Sequence, residues 1–185
     1  LNLIVFSGDG DLFAIGGNHF IHAARRNINL KVICVNNFNY GMTGGQFSPL
    51  TPIGKKATTA HLGNLEDTFD TMKLLQGAGA TYLARIGTYF YTQMMRYMKT
   101  AFLHKGFSAI EVITQCPVYY GRLNQFRTPS EMLLWQKDNL ILKAKADSMK
   151  VDELADKMVI GEFVNESKPS FLEKREAMLE RINQK

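Results

Sequence analysis

The sequence predicts an α/β fold: an open, mostly parallel sheet with helices on both faces. Three observations predict it. Two apolar runs of strand length, Leu3–Phe6 and Leu30–Val35, flank one helix-length segment, and parallel neighbours in a sheet need such a crossover. Strand-like and helix-like segments then keep alternating up to about residue 127. Both opening strands run straight into polar turns, Gly8-Asp9-Gly10 and Asn36-Asn37. The shared direction of the strands puts those turns at one sheet edge, where α/β folds bind ligands.

The elements follow in order. Leu3-Ile4-Val5-Phe6 is the first strand. Asp11 to Arg26 is the first crossover helix. Gly16-Gly17 weakens it by ~1 kcal/mol per Gly relative to Ala, so close packing or an imperfect helix is expected there. His19 and His22 stand three apart on one helical face. No third ligand accompanies them, and metal sites of this kind need three, so they read as ordinary polar side chains. Cys34 lies inside the second strand and reads as inert core. Residues 38–64 form a long connection rich in Gly, Thr and Pro, and such loops are often functional. In it, Lys55-Lys56 reads as solvated. Leu65 to Gln76 reads as a helix with Leu65, Phe69 and Met72 in register, ended by Gly77 and Gly79.

Thr81 to Ile86 is the next strand. Thr88 to His104 is a helix with Phe90, Met94 and Met98 at helical spacing, closed by Gly106. Phe107 to Thr114 is a strand leading to Cys116. Thr128-Pro129-Ser130-Glu131 opens a helix with a Thr cap and Pro in the first turn, and that helix carries Met132, Trp135, Leu140 and Leu142. Residues 150–168 are a weakly patterned connector. Ser170-Phe171-Leu172-Glu173 has capping-box spacing for a last helix, whose Phe171, Met178 and Ile182 would face a partner or the domain body. The expected division is an α/β domain over 1–127 and a helical C-terminal extension over 128–185.

The two turns carry the chemistry. An Asp carboxylate and an Asn amide oxygen converge at one edge, and Mg²⁺ prefers oxygen ligands and bridges protein to phosphates. Gly8 and Gly10 let backbone approach a diphosphate without a Cβ. The pattern therefore implies a metal-held diphosphate. A dinucleotide fingerprint fails, because Phe13 stands where G-x-G-x-x-G needs its last Gly. No Gly-Lys-Ser/Thr loop occurs either. Ordinary strand-end turns are the alternative, since Gly, Asp and Asn are common there.

The Gly-Asp-Gly and Asn-Asn pair, with 25 residues between Gly10 and Asn36, resembles the thiamine diphosphate signature. The continuation Asn37-Phe38-Asn39-Tyr40-Gly41-Met42-Thr43-Gly44-Gly45-Gln46 is similar to the loop of 2-oxoacid:ferredoxin oxidoreductase beta subunits. Ile113-Thr114-Gln115-Cys116-Pro117 resembles the place where those subunits supply a cysteine to a [4Fe–4S] cluster. The similarity runs over nearly the whole chain and is greatest to the 2-oxoglutarate enzymes. It implies thiamine diphosphate binding along Gly8, Asp9, Gly10, Asp11, Asn37, Asn39, Tyr40, Gly41, Met42 and Thr43. It implies Mg²⁺ on Asp9, Asn37 and the Asn39 carbonyl, and a [4Fe–4S] cluster on Cys116 with its other ligands outside this chain. Met42 reads equally as a rest for a cofactor ring and as gap-filling core.

The implied activity is oxidative decarboxylation of a 2-oxoacid to an acyl-CoA, with electrons leaving through the cluster. The implied partners are an alpha subunit, with gamma and delta subunits left open, and ferredoxin or flavodoxin. The substrates would be 2-oxoglutarate and coenzyme A, with pyruvate as the alternative acid. A thiamine-dependent decarboxylase or synthase without iron–sulfur and a non-catalytic interaction fragment remain the other readings. Family subunits carry more sequence ahead of this point, so the chain reads as truncated before Leu1.

Composition narrows the class. The 185 residues are 45% hydrophobic and 21% charged, which fits a globular domain with a real core. No apolar run reaches membrane-spanning length, no signal peptide is visible, and two cysteines make no disulfide framework. A reducing cytoplasm fits best. The net charge of +5 is uneven: residues 1–84 carry +1, 85–150 carry +6 and 151–185 carry −2. The basic middle suits an acidic partner or an anionic substrate. Its scattered cations match no nucleic-acid motif.

Overall fold

The structure, a computed structural model, describes residues 3–154 and 156–184; Leu1, Asn2, Ala155 and Lys185 lie outside them. Strand β1 (Leu3–Gly8) crosses through helix α1 (Gly17–Arg26) to β2 (Leu30–Asn36). After the long connection come α2 (Thr71–Gly77), β3 (Tyr82–Gly87), α3 (Tyr91–Leu103) and β4 (Ser108–Ile113). Helix α4 (Pro129–Asn139) leads into β5 (Leu140–Leu142). Short helices α5 (Lys143–Ala146) and α6 (Val151–Leu154) precede β6 (Met158–Asn165) and α7 (Phe171–Asn183). The sheet order is β1-β2-β4-β3-β6-β5. The first four strands in that order are parallel, with Ser7 beside Cys34, and Cys34 and Arg85 on either side of Glu111.

Helices cover both faces, and each face has its own core. Ile33, Ile86, Ile110 and Val112 pack with Tyr97 of α3 and Met132 of α4. Val32, Leu83 and Ala109 pack with Phe20 and Ala24 of α1 and Leu75 of α2. Met94 and Met98 of α3 sit partly buried against the first core, so their helical spacing reflects packing. Edge strand β1 leaves Leu3, Ile4 and Phe6 exposed.

The first crossover is imperfect at its glycines. Residues Asp11–Ile15 form a wide π turn closed by Gly16 N–H donating to the Asp11 carbonyl at 2.7 Å. A Cβ at Gly16 would lie 2.4 Å from that carbonyl oxygen, so the turn requires glycine.

Three expectations are corrected. The helix expected from Leu65 begins only at Thr71, where the Asp70 carboxylate accepts from Lys73 N–H at 3.2 Å. Before it, the Asn64 side chain exchanges hydrogen bonds with Glu66 backbone, donating at 3.0 Å and accepting at 3.0 Å. An Asn that satisfies local backbone in this way competes with helix formation, and Leu65 is 93% exposed. Second, Leu140 and Leu142 lie on β5, beyond the end of α4. Third, the connector over 150–168 holds β6, which pairs antiparallel with β3. The segment after residue 127 is thus mixed rather than helical. An apolar tripeptide at a helix end became a strand because a partner strand was available, a context that local pattern does not contain.

The caps read from sequence are present. Thr128 caps α4, and Ser170 and Glu173 form a reciprocal capping box at α7. Phe171, Met178 and Ile182 of α7 point away from the body and are exposed. No helix among the described residues is long and apolar enough to cross a membrane.

The amino ends of the strands are tied tightly. Asn27, left-handed at φ 50°, caps α1. Its side chain donates to the Lys168 and Pro169 carbonyls at 3.2 and 3.1 Å. It accepts from Thr81 Oγ1 at 2.9 Å and Phe107 N–H at 2.8 Å. Lys31 is fully buried, and its ammonium donates to Asn29 Oδ1 at 2.8 Å, to the Gly106 carbonyl at 2.9 Å and to the His104 carbonyl. Burial lowers its pKa.

Candidate functional site

At the carboxyl ends of β1 and β2 lies an open-mouthed cavity of about 290 Å³. Gly8, Asp9, Gly10, Asp11, Asn37, Asn39, Tyr40, Gly41, Met42 and Thr43 line it. The structure thus brings together every cofactor-contact residue expected from the sequence, although 25 residues separate the two stretches.

Asp9 is 1% exposed. Burial pushes its carboxyl up from the ordinary 3.8 to about 6; hydrogen bonds from Ser48 and from the Asn37 backbone pull the other way. Ser48 Oγ donates to Asp9 Oδ2. A carboxylate held in so dry a place gains from a nearby cation. Asn37 Oδ1 accepts from Asn39 N–H at 3.3 Å. Asn39 Oδ1 is, among the described residues, the one buried side-chain nitrogen or oxygen without a hydrogen-bond partner. Buried polar atoms are rarely left so. A carboxylate that is costly to ionise and an amide oxygen lacking a donor form a hard oxygen set that suits Mg²⁺. The orphan is the Asn39 side-chain oxygen, whereas the resemblance had pointed to its carbonyl.

The two glycines differ. A Cβ at Gly10 would lie 2.2 Å from the Tyr40 ring, and Tyr40 O–H donates to the Gly10 carbonyl at 3.1 Å. The missing Cβ at Gly10 therefore makes room for an aromatic ring of the protein, not for a ligand. A Cβ at Gly8 would meet only Asp11 Oδ2, at 3.6 Å, so that backbone is open.

The loop after Asn37 is held as a tight turn. Tyr40 N–H donates to Gln46 O at 2.9 Å, and Gly45 N–H to Tyr40 O at 2.8 Å. Gly44 and Gly45 take φ of 118° and 83°, which glycine adopts readily. Met42 at the tip is 99% exposed, so the gap-filling reading is excluded. Thr43 Oγ1 donates to Gln46 Oε1 at 2.7 Å.

Cys116 stands beside this loop. A Cβ at Gly41 would lie 3.6 Å from Cys116 Sγ, 3.6 Å from Asn39 Oδ1 and 3.2 Å from Asn37 Nδ2. A Cβ at Gly45 would strike Tyr119, in the turn that follows Cys116. The loops after β2 and β4 are therefore packed together. Cys34, in contrast, lies inside β2, where burial pushes its thiol far up. Among the described residues, no three His, Cys, Asp or Glu side chains cluster to hold a metal. His22 Nδ1 instead accepts from Arg25 Nε at 3.2 Å.

Sequence reasoning passed over the polar group behind the site. Glu111, 3% exposed in mid-β4, accepts from Arg85 Nε at 2.7 Å, from Asn36 Nδ2 at 2.7 Å and from Thr71 Oγ1. The available signal was two opposite charges, Arg85 and Glu111, each alone inside an apolar strand. Buried charges are paired.

Comparison with known proteins agrees with this geometry. The model of the thiamine pyrophosphate enzymes' C-terminal cofactor-binding domain matches residues 2–112. The chain belongs to that family of thiamine pyrophosphate enzymes. It is 52% identical over 181 residues to the 2-oxoglutarate synthase subunit KorB of Methanocaldococcus jannaschii, covering 98% of this chain and 67% of that protein. The Archaeoglobus fulgidus subunit of the same name is 44% identical, over 96% of this chain and 63% of that one. A solved 2-oxoglutarate:ferredoxin oxidoreductase from Magnetococcus marinus, with 2-oxoglutarate, coenzyme A and succinyl-CoA bound, superposes with a TM-score of 0.80 at 28% identity. That match covers 95% of this chain and 60% of the other. Within the family, the chain is therefore one of the beta subunits of 2-oxoacid:ferredoxin oxidoreductases, and it spans about two thirds of their length.

Proposed function

We propose that this chain holds thiamine diphosphate and Mg²⁺ for oxidative decarboxylation of 2-oxoglutarate to its acyl-CoA. The carrying observation is that one cavity is lined by both the desolvated Asp9 carboxylate and Asn39, whose side-chain oxygen has no hydrogen-bond partner among the described residues. Asp9, Asn37 and Asn39 would hold the metal, and the open Gly8 backbone would receive the diphosphate. Thiamine diphosphate, when bound, supplies an electron sink for loss of CO₂. Asp11 and Tyr40 shape the cavity wall, and Gly41, Met42 and Thr43 form its rim. Cys116, beside Gly41, would be a thiolate ligand of a [4Fe–4S] cluster. The remaining ligands would come from outside the described residues.

The choice of 2-oxoglutarate rests on the relatives' names. Among the described residues no Lys or Arg lines the cavity, so a cation reading the distal carboxylate would come from elsewhere, such as an alpha subunit. Coenzyme A and ferredoxin or flavodoxin complete the reading, with the basic 85–150 stretch suited to an acidic electron carrier. Two free cysteines fit a reducing cytoplasm.

The test is dye reduction by the purified assembly with coenzyme A and either 2-oxoglutarate or pyruvate. Preference for 2-oxoglutarate is expected. Preference for pyruvate would replace the substrate and leave the family intact. An active, iron-replete Cys116→Ser enzyme would remove the cluster assignment and favour a plain decarboxylase.

A further inference from the structure

We infer that Glu111 is a positioning residue for the cofactor site, acting through Asn36; the inference rests on the metal–diphosphate reading above. Phe38 adopts a left-handed backbone at φ 66°, between the two asparagines that line the cavity. A bulky residue does not take that conformation unaided. Its ring is buried on one sheet face, 5.2 Å from the Tyr120 ring. Its N–H donates to Asn36 Oδ1 at 3.0 Å, and its carbonyl accepts from Thr51 Oγ1 at 2.6 Å. The Asn36 amide is therefore what grips the start of the turn, and an amide grips only while it is itself oriented.

Glu111 supplies that orientation. Its Oε1 accepts from Asn36 Nδ2 at 2.7 Å, which fixes which end of the amide faces Phe38. Its Oε2 is taken by Arg85 and Thr71. Arg85 is in turn held by Thr71 Oγ1 at 2.8 Å and the Val159 carbonyl at 3.3 Å. The carboxylate is thus anchored by β3, α2 and β6, with one oxygen left for Asn36. The Asn36 carbonyl also accepts from Thr114 N–H at 2.8 Å and Thr114 Oγ1 at 3.2 Å. Thr114 begins the loop that carries Cys116. One buried carboxylate so orients the start of the loop after β2 without touching the cavity, while the backbone of the same Asn36 ties in the loop after β4.

The bond's polarity gives a test. Asn36→Asp places an acceptor against Glu111. The swapped pair Asn36→Asp with Glu111→Gln restores a donor–acceptor pair and still offers an oxygen to Arg85 and Thr71. Thiamine diphosphate affinity with Mg²⁺ would be measured calorimetrically on the full protein in its native assembly. The melting temperature without cofactor would be measured alongside. Asn36→Asp is expected to weaken binding at least tenfold, and the swap to recover it to within about threefold. Unchanged affinity in Asn36→Asp overturns the inference. So does a swap that recovers the melting temperature but not the affinity, since Glu111 would then serve stability alone. Asp9→Ala is the control. If it abolishes binding while Asn36→Asp does not, only this inference fails. If it retains cofactor, the site reading fails and this inference with it.

Discussion

At the amino ends of the strands, Asn27 uses its side chain in four hydrogen bonds and Lys31 uses its ammonium in three. At the carboxyl ends, Asp9 is dry enough to resist ionisation, Asn39 Oδ1 has no donor, and Phe38 is left-handed. Both ends are buried and polar, so burial alone does not separate them. Satisfaction does. Where polar groups answer each other, the groups hold the fold together. Where they are left wanting, the protein stores free energy that a ligand can release. This is how a sheet can be rigid at one end and receptive at the other.

Breaking the satisfied end should have the largest effect. Asn27→Ala strips partners from buried Thr81 and Phe107 and from the tail at Lys168 and Pro169. A loss of ~3–5 kcal/mol is expected from several orphaned groups, read by urea denaturation. Cofactor affinity of the folded fraction should not change. A loss below ~1 kcal/mol would erase the contrast between the ends.

The receptive end should respond with the opposite sign. Burial holds the Asp9 pKa near 6 against an ordinary 3.8, so the folded state favours the protonated acid. Stability from this group is present below the unfolded pKa and is lost as pH rises through about 6. The metal-free protein should therefore lose up to ~3 kcal/mol between pH 4 and 7 from this group. Asp9→Asn should lack that loss and melt higher than wild type at pH 7, while losing the cofactor. Chemical denaturation at several pH values, with chelator present, checks this. A parallel decline in both proteins would refute the assignment.

The two glycines sharpen the comparison within the site. Gly10→Ala collides with Tyr40 and should cost ~1–3 kcal/mol as overpacking. Gly8→Ala meets nothing closer than 3.6 Å, so its effect should fall on cofactor affinity and leave stability within ~0.5 kcal/mol. Paired thermal melts and binding titrations separate the two. The smallest effect belongs to Met42→Ala. The side chain is 99% exposed, so stability should move by less than ~0.5 kcal/mol, and only ligand-bound measurements should respond.

Legibility followed the range of the forces. The strands read as Leu3–Phe6 and Leu30–Val35, which extend to Gly8 and Asn36, and the caps at Thr128 and Ser170 are legible because each is written in a few adjacent residues. The cavity lining was readable because both turns lie at ends of parallel neighbours, and that geometry follows from the crossover. Helix α2 was overcalled by six residues, because the side-chain bonds of Asn64 outweigh the apolar spacing of Leu65 and Phe69. Strands β5 and β6 were missed because each needs the other, and β6 also needs β3, to exist as strands.

The sequence by itself determined the alternation of strand and helix, the polar turns at one sheet edge and the chemistry those turns offer. Local patterning and chain direction suffice for that. Only the tertiary structure decided that Gly10 makes room for Tyr40, that Cys116 stands beside Gly41, and that Glu111 grips Asn36 from 75 residues away. Those contacts join segments distant in the chain, and their energies come from excluded water and shared hydrogen bonds that no single segment contains.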